Sequence, residues 1–516
     1  VGDSWAFFMA ADQTINDVFD VWGHSDKTFF TNTTLSENGA ETDDFLQQGK
    51  LDEIHSQLDA KPSIEYVHLS LGGNDVLGSW NINFTTAQTD SLKDTVFNRL
   101  TTIIDSIKSF RPHVKIIWSG YMYPNFEEVI EDAAPFQSVH PFYGTWEGMG
   151  FPSFQQLNAL LNDFSADVEA YVNNDPQLFF VNATGLMQYQ FGQTTPLGVA
   201  PGGTYPPFSQ PLPAGDQTYP SPKESMRDYG VTKDCFHLSG PGYDAMMSYT
   251  TQKYYHKALM DDQYFLAEIG NHAGSVHDGG GTSPITYLGN DGANEYKLQL
   301  TFNTTTMIDN NIQTAEIFLR RNQLVNGTNP ITGQIDVRVV QGNFGTTADV
   351  EVADYTDVSG EIATACQFGS TGDGEWIRIE LPTSLFAEIS DADQTQFLLS
   401  IPNGSAGMVE YYDGSDPEFA PVLNLDYNGF DVGTEEIAFE TSQILIYPNP
   451  SNGLINIKTE GQHIENIEVF NMMGQRVFNT MNVNTQTINL SRLEAGNYVI
   501  KIATDRQVTS EKIVIR

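Results

Sequence analysis

The sequence predicts an α/β protein, with a parallel sheet covered by helices on both faces, continued by two all-β modules. Three observations predict this. Short apolar runs alternate with helical periodicity through the first part of the chain, up to about residue 260. From about residue 285 no helical pattern of any length occurs, and β-like runs follow one another. The charge balance then changes: residues 441–516 hold seven basic against six acidic residues, whereas the whole chain carries a net −41.

Each element has its own signal. The run IEYVHLSL (64–71) is mostly apolar and stops at Gly72-Gly73, as a buried parallel strand would. Over 92–110, Leu92, Val96, Leu100, Ile103, Ile104, Ile107 and Phe110 fall at helical spacing, with Pro112 as the stop. VKIIWSG (114–120) is a second buried strand, 154–172 a helix, and LFFVNA (178–183) a third strand. A further helix is predicted over 240–259, opened by Gly-Pro-Gly. Between 184 and 230 the pattern collapses into Pro- and Gly-rich sequence, which reads as a functional lid or an insert without fixed structure, or simply as a mobile surface loop. The runs YKLQLTF, AEIFLRR, IDVRVVQ, EWIRIEL, QFLLSI and PVLNLDY predict an all-β sandwich, and a second β module, with Asn-Gly and Met-Gly turns, ends the chain.

These signals divide the 516 residues into an α/β domain at 1–270, a linker at 271–284, a sandwich at 285–430 and a terminal module at 441–516. A hydrophobic fraction of 40% and an aromatic fraction of 12% suffice for several cores. The acidic charge excludes nucleic acid and anionic membranes as partners, because phosphate binding needs clustered Lys and Arg. Two cysteines, Cys235 and Cys366, make neither a disulfide framework nor a metal-ligand spacing. No apolar run is long enough to span a bilayer, and no signal peptide is present. Val1 ahead of Gly-Asp-Ser reads as the last residue of a strand, so the expectation is that a strand, with an export signal before it, lies upstream.

Chemistry gathers at four places. Gly2-Asp3-Ser4 puts a serine at a strand end, where a sharp turn into a helix would expose its hydroxyl; the tripeptide alone is equally a turn or a helix cap. Gly39, in SENGAETDDFL, suits a tight turn that aims its N–H outward. In LGGND, the glycines allow a close turn that would project the Asn74 amide, or leave it a simple turn asparagine. Asp234-Cys-Phe-His237 is half a metal site, two members of a triad, or a capping turn. Its neighbours supply no further carboxylate or imidazole for a metal. Cys235 offers a thiol nucleophile, or a small buried hydrophobe. Combined, the four places fit one chemistry: attack of Ser4 on an ester carbonyl, proton transfer through His237 oriented by Asp234, and N–H donors for the oxyanion.

In order along the chain, GDS, the Gly39 turn, GGND and DCFHLS resemble the conserved blocks of the SGNH (GDSL-type) hydrolases, over about residues 1–260. That resemblance implies a flavodoxin-like three-layer α/β/α esterase fold. It assigns Ser4, Asp234 and His237 as the catalytic set and Ser4, Gly39 and Asn74 as the oxyanion hole, with no cofactor and no metal. The region 285–430 resembles the DNRLRE-type jelly rolls of secreted polysaccharide-active enzymes. There Trp376, Tyr411 and Tyr412 are candidates for stacking on sugars or for the core, and Asp413, Asp416 and Glu418 for calcium or a solvated loop. YPNPSNGLINI, VFNMMGQRV and LEAGNYVIKI resemble the type A sorting domain of type IX secretion, found in Bacteroidetes. The implied protein is secreted or held at the outer cell surface, with the type IX machinery and an ester substrate as partners. The resemblance implies short acyl groups, acetyl above all, on carbohydrate. A lipase or arylesterase, and a binding or adhesion protein with an idle hydrolase domain, remain the rival readings.

Overall fold

The computed structural model describes residues 1–193, 205–427 and 445–516, apart from 32–33, 213, 370, 403, 405–406, 450, 459–462, 472–475, 484–486, 494 and 505–507. Residues 194–204 of the Pro/Gly-rich stretch, the 428–444 junction and the Met-Gly turn lie outside the described residues. The chain forms two compact units, Val1–Phe430 and Asp431–Arg516.

In the first unit, β1 (Tyr66–Leu69), β2 (Lys115–Ser119) and β3 (Leu178–Val181) pair in parallel, in that order. Val1-Gly2 extends this sheet. Gly2 bridges in parallel to Ser70 on one side and Ser36 on the other, with Gly2 N–H donating to Leu35 O at 2.8 Å and Asp3 N–H to Ser70 O at 2.9 Å. The spatial order is therefore second, first, third, fourth, fifth, the flavodoxin-like winding, whose switch point lies at Gly2. Alternation along β2 assigns its two faces. Ile117 packs with Trp5, Met9, Met246 and Tyr255 on one side, and Ile116 and Trp118 with Leu100, Ile104 and Val168 on the other.

The helix Thr86–Phe110 starts earlier than its apolar periodicity, because its first turn is polar and is set instead by a capping box between Thr85 and Gln88. Phe154–Val172 matches its prediction, and Gly240–Thr250 continues through a wider turn to Ala258. Part of the described 184–230 stretch is anchored on the helix Leu186–Phe191. Buried Gln188 donates to the carbonyls of Asp216, Tyr219 and Pro220 and accepts from Asp216 N–H.

The all-β region departs from the expected boundaries. Residues 271–284 are no linker: Gly274–His277 and Gly281–Ser283 form a hairpin on the strand Glu295–Phe302, with Val276 fully buried. The glycines that suggested a linker make its turn. Gln263–Leu266, placed in the catalytic domain by sequence, pairs with Val422–Asp426. Eight strands close on themselves, because Trp376–Glu380 pairs with both Glu361–Phe368 and Thr314–Gly327, giving a barrel-like sandwich around Leu300, Leu319, Val337 and Phe397. Trp376 and Tyr411 are buried, so the core reading holds for both. Asp413 and Asp416 accept N–H groups of their own loop, and Glu418 pairs with Lys253.

The α/β and β halves share one core: Trp22 stacks on Trp376 at 5.5 Å, and Phe318 and Val422 join the cluster of Phe19, Tyr255 and Met260. The second unit packs a three-stranded against a four-stranded sheet around Ile455, Ile488, Ile467 and Ile500. Among the described residues no helix is long and apolar enough to cross a membrane.

The shared core has a measurable consequence. Trp22→Ala should cost about 3–5 kcal/mol, and urea unfolding should lose the α/β and barrel signals together. Unfolding of the barrel at an unchanged midpoint would show that the halves are independent.

Candidate active site

Ser4 opens the helix Ser4–Ala11 immediately after the Val1-Gly2 strand end. Asp3 caps that helix, its Oδ1 accepting from Trp5 N–H at 2.9 Å. As the first helical residue, Ser4 has an N–H without an intrahelical acceptor, pointing along the positive end of the helix. Gly2 must be glycine: a Cβ there would lie 1.8 Å from Ser70 O.

The strands β4 (Met226–Tyr229) and β5 (Thr232–Leu238) form a hairpin that carries Asp234 and His237 to the same place. His237 Nδ1 lies 2.8 Å from Asp234 Oδ2, and His237 Nε2 lies 2.7 Å from Ser4 Oγ. Asp234 Oδ1 accepts the N–H groups of Phe236 and His237, so the local turn itself orients the carboxylate. With Nδ1–H donating to Asp234, Nε2 is left as the acceptor for the Ser4 hydroxyl. All three residues are buried, His237 at 9% exposure. A hydroxyl hydrogen-bonded to an imidazole, itself held by a buried carboxylate, is the arrangement that activates a nucleophile. The rings of Phe8, Phe236 and Phe142 stand 5.0, 4.4 and 6.3 Å from the imidazole.

Asn74 and Gly39 meet at the same strand ends. Asn74 Nδ2 donates one hydrogen to Ala40 O at 2.9 Å, which fixes the amide's orientation and leaves its second hydrogen available. Gly39 holds φ +79°, and its N–H has no partner among the described residues. Two residues earlier, Glu37 N–H donates to Gly2 O at 3.0 Å, tying this turn to the serine's strand.

Residues 2–250 match the family model of the GDSL-like Lipase/Acylhydrolase, and residues 445–516 match the secretion system C-terminal sorting domain. Residues 2–250 are a GDSL domain. That domain makes the chain an ester hydrolase, and its type IX sorting domain addresses it for secretion or surface attachment. Solved structures similar to the chain include a possible lipase from Chitinophaga pinensis (16% identity, covering 50% of this chain and 97% of that one, TM-score 0.28). Another is a carbohydrate esterase family 3 from Talaromyces cellulolyticus (12%, 50% and 96%, 0.28), and a third a family 3 carbohydrate esterase of Clostridium thermocellum (16%, 50% and 96%, 0.26). Comparison with curated proteins gave no match.

The GDSL domain also uses residues that the sequence reading passed over. Tyr121 OH donates to Asp3 Oδ2 at 2.5 Å and accepts from Gly73 N–H at 3.0 Å, joining the serine turn to the Asn74 turn. Burial raises the Asp3 carboxyl to about 6 against the hydrogen bonds it accepts from Tyr121 OH and Trp5 N–H. Asp75 accepts Thr42 N–H at 2.9 Å and Thr42 Oγ1 at 2.6 Å, with Arg99 at 3.2 Å, and so joins the Asn74 turn to the Gly39 turn. Asp3 and Asp75 were visible as the polar partners within GDS and GGND; Tyr121 carried no signal. Burial pushes the Cys235 thiol far up, which removes it as a nucleophile. A larger cavity, about 650 Å³, adjoins Val1 and β1 and has neither Asn74 nor His237 in its wall.

Beneath β5, Asn125 N–H donates to Cys235 O at 2.7 Å, and Asn125 Nδ2 bonds Glu128 Oε2 and Ser221 O, both at 2.8 Å. Burial raises Glu128 from 4.5 to about 7, only partly offset by Asn125. The native state therefore binds the extra proton between those values, and this group's contribution to stability falls as pH rises from about 4.5 to about 7. Glu128→Gln should gain on the wild type by about 2–3 kcal/mol across that window, read by urea unfolding at several pH values. A difference that does not change with pH would refute the assignment.

Proposed function

We propose that this chain is a secreted serine esterase in which Ser4 is the nucleophile, His237 the general base and acid, and Asp234 the residue that orients it. The observation carrying this reading is the unbroken contact chain Ser4–His237–Asp234, at 2.7 and 2.8 Å. His237 Nε2 takes the hydroxyl proton as Ser4 Oγ attacks the ester carbonyl. The tetrahedral oxyanion is met by the Ser4 and Gly39 N–H groups and the free hydrogen of Asn74 Nδ2. His237 then gives its proton to the leaving alcohol. Water, deprotonated by the same imidazole, hydrolyses the acyl-serine and restores the enzyme.

The acyl group is short. That the alcohol is a carbohydrate hydroxyl rests on the family resemblance, and acetylated polysaccharide enters the experiment as one substrate. The arylesterase reading draws on the rings of Phe8, Phe142 and Phe236 around His237, which suit a flat leaving group.

Release of p-nitrophenol from short-chain esters and of acetate from acetylated xylan, with wild type and variants, tests the proposal. Ser4→Ala and Asp234→Asn should each lower kcat by about 10⁴-fold. Ser4→Ala that retains wild-type turnover would sink the triad. Asn74→Ala should lower kcat by about 10²–10³ with little change in KM. A change confined to KM would mean that Asn74 binds the ground state instead.

A further inference from the structure

Beside Ser4 and Asn74 lies a second cavity, about 60 Å³, that the catalytic proposal does not use. It runs between three helices. Gly73–Ser79 contributes Val76 and Leu77, Trp80 follows directly after it, Thr86–Phe110 contributes Leu92, and Phe154–Val172 contributes Leu157 and Leu160. Trp80, Leu157 and Leu160 are buried and belong to a packed apolar cluster, so the walls are fixed. Lys93 also lines the cavity. Its ammonium is satisfied outside, by Asp163 at 2.5 Å and Asp167 at 2.7 Å on the facing helix, so only its aliphatic stem is turned to the space.

We propose that this cavity is the acyl-binding site, and that it selects an unbranched aliphatic acyl chain of about four to six carbons over acetyl. The inference rests on Ser4 being the nucleophile. A carbonyl carbon bonded to Ser4 Oγ, with its oxygen toward Asn74, has its substituent beside these walls, because Ser4 and Asn74 are themselves part of them. Size sets the length. A site needs about 10–15 Å³ to hold one water-sized atom, so the space takes about four to six heavy atoms, more than the single methyl of an acetyl group fills. Polarity sets the class. The walls present no unpaired charge to a hydroxylated or charged acyl group, whereas each methylene moved from water onto them gains about fourfold. The Lys93 ion pairs bridge two of the helices that wall the cavity.

The test is kcat/KM for p-nitrophenyl acetate, butyrate, hexanoate and decanoate. Wild type is compared with Leu160→Phe, and with Leu92→Phe on the opposite wall should the first variant not fold. Wild type should favour butyrate over acetate by at least about tenfold, and hexanoate over acetate by at least as much, with decanoate falling again. Either filling variant should lower the butyrate-to-acetate ratio by about tenfold. Acetate as the best substrate, or an unchanged ratio in both folded variants, would overturn the pocket while leaving a Ser4-dependent esterase intact. Turnover that survives Ser4→Ala, or no turnover of any ester, would instead overturn the catalytic reading and this site with it.

Discussion

Everything in the site hangs on the backbone grip around Gly2. Gly2 is hydrogen-bonded to Leu35 and Glu37 on one side while its neighbours Val1 and Asp3 bond Ser70 on the other, so tightly that a methyl group on Gly2 would strike Ser70 O. That grip sends the chain into a helix at Ser4 and aims the serine hydroxyl at the carboxyl end of the sheet, where the winding reverses. The Gly39 turn follows one flanking strand and the Gly72–Asn74 turn follows the other. The proposed oxyanion donors therefore converge because the strands pair, and no long side chain has to reach for them.

The convergence is then locked by buried polar bridges. Tyr121 joins the Asp3 turn to Gly73, and Asp75 with Thr42 joins the Asn74 turn to the Gly39 turn. Such groups are costly to bury, as the raised Asp3 carboxyl records, and are retained only where their partners are complete. Preorganised donors lower a barrier because they need not reorganise during the reaction, so burial spent on rigidity serves the chemistry. Asn74 illustrates the economy: one amide hydrogen holds Ala40 O, and the other is available for the proposed oxyanion contact.

Much of this was legible in the sequence, for a local reason. The strands and helices of the α/β part announce themselves by apolar period, and the four short blocks carry the reactive residue types in a fixed order. Asp234 and His237 are three residues apart, so their mutual contact is nearly a property of one turn. Legibility failed where meaning depended on distant chain. The Gly-rich 271–284 has the composition of a linker but forms a hairpin on a strand beyond it, and Gln263–Leu266 gains its place only from Val422–Asp426. Trp376 stood between a sugar platform and a core residue, and only the packing of Trp22 against it decides for the core.

By itself the sequence determined the fold class, the main strands and helices of the α/β part and the residue types proposed to attack, relay a proton and stabilise an oxyanion, because periodicity and turn chemistry act over a few residues. Only the tertiary structure decided that Ser4 meets His237 across 233 positions, that Tyr121 ties two turns, and that the α/β and barrel halves share one core. Those contacts arise from sheet pairing and from burial against remote surfaces. No local pattern encodes which remote surface a side chain will find.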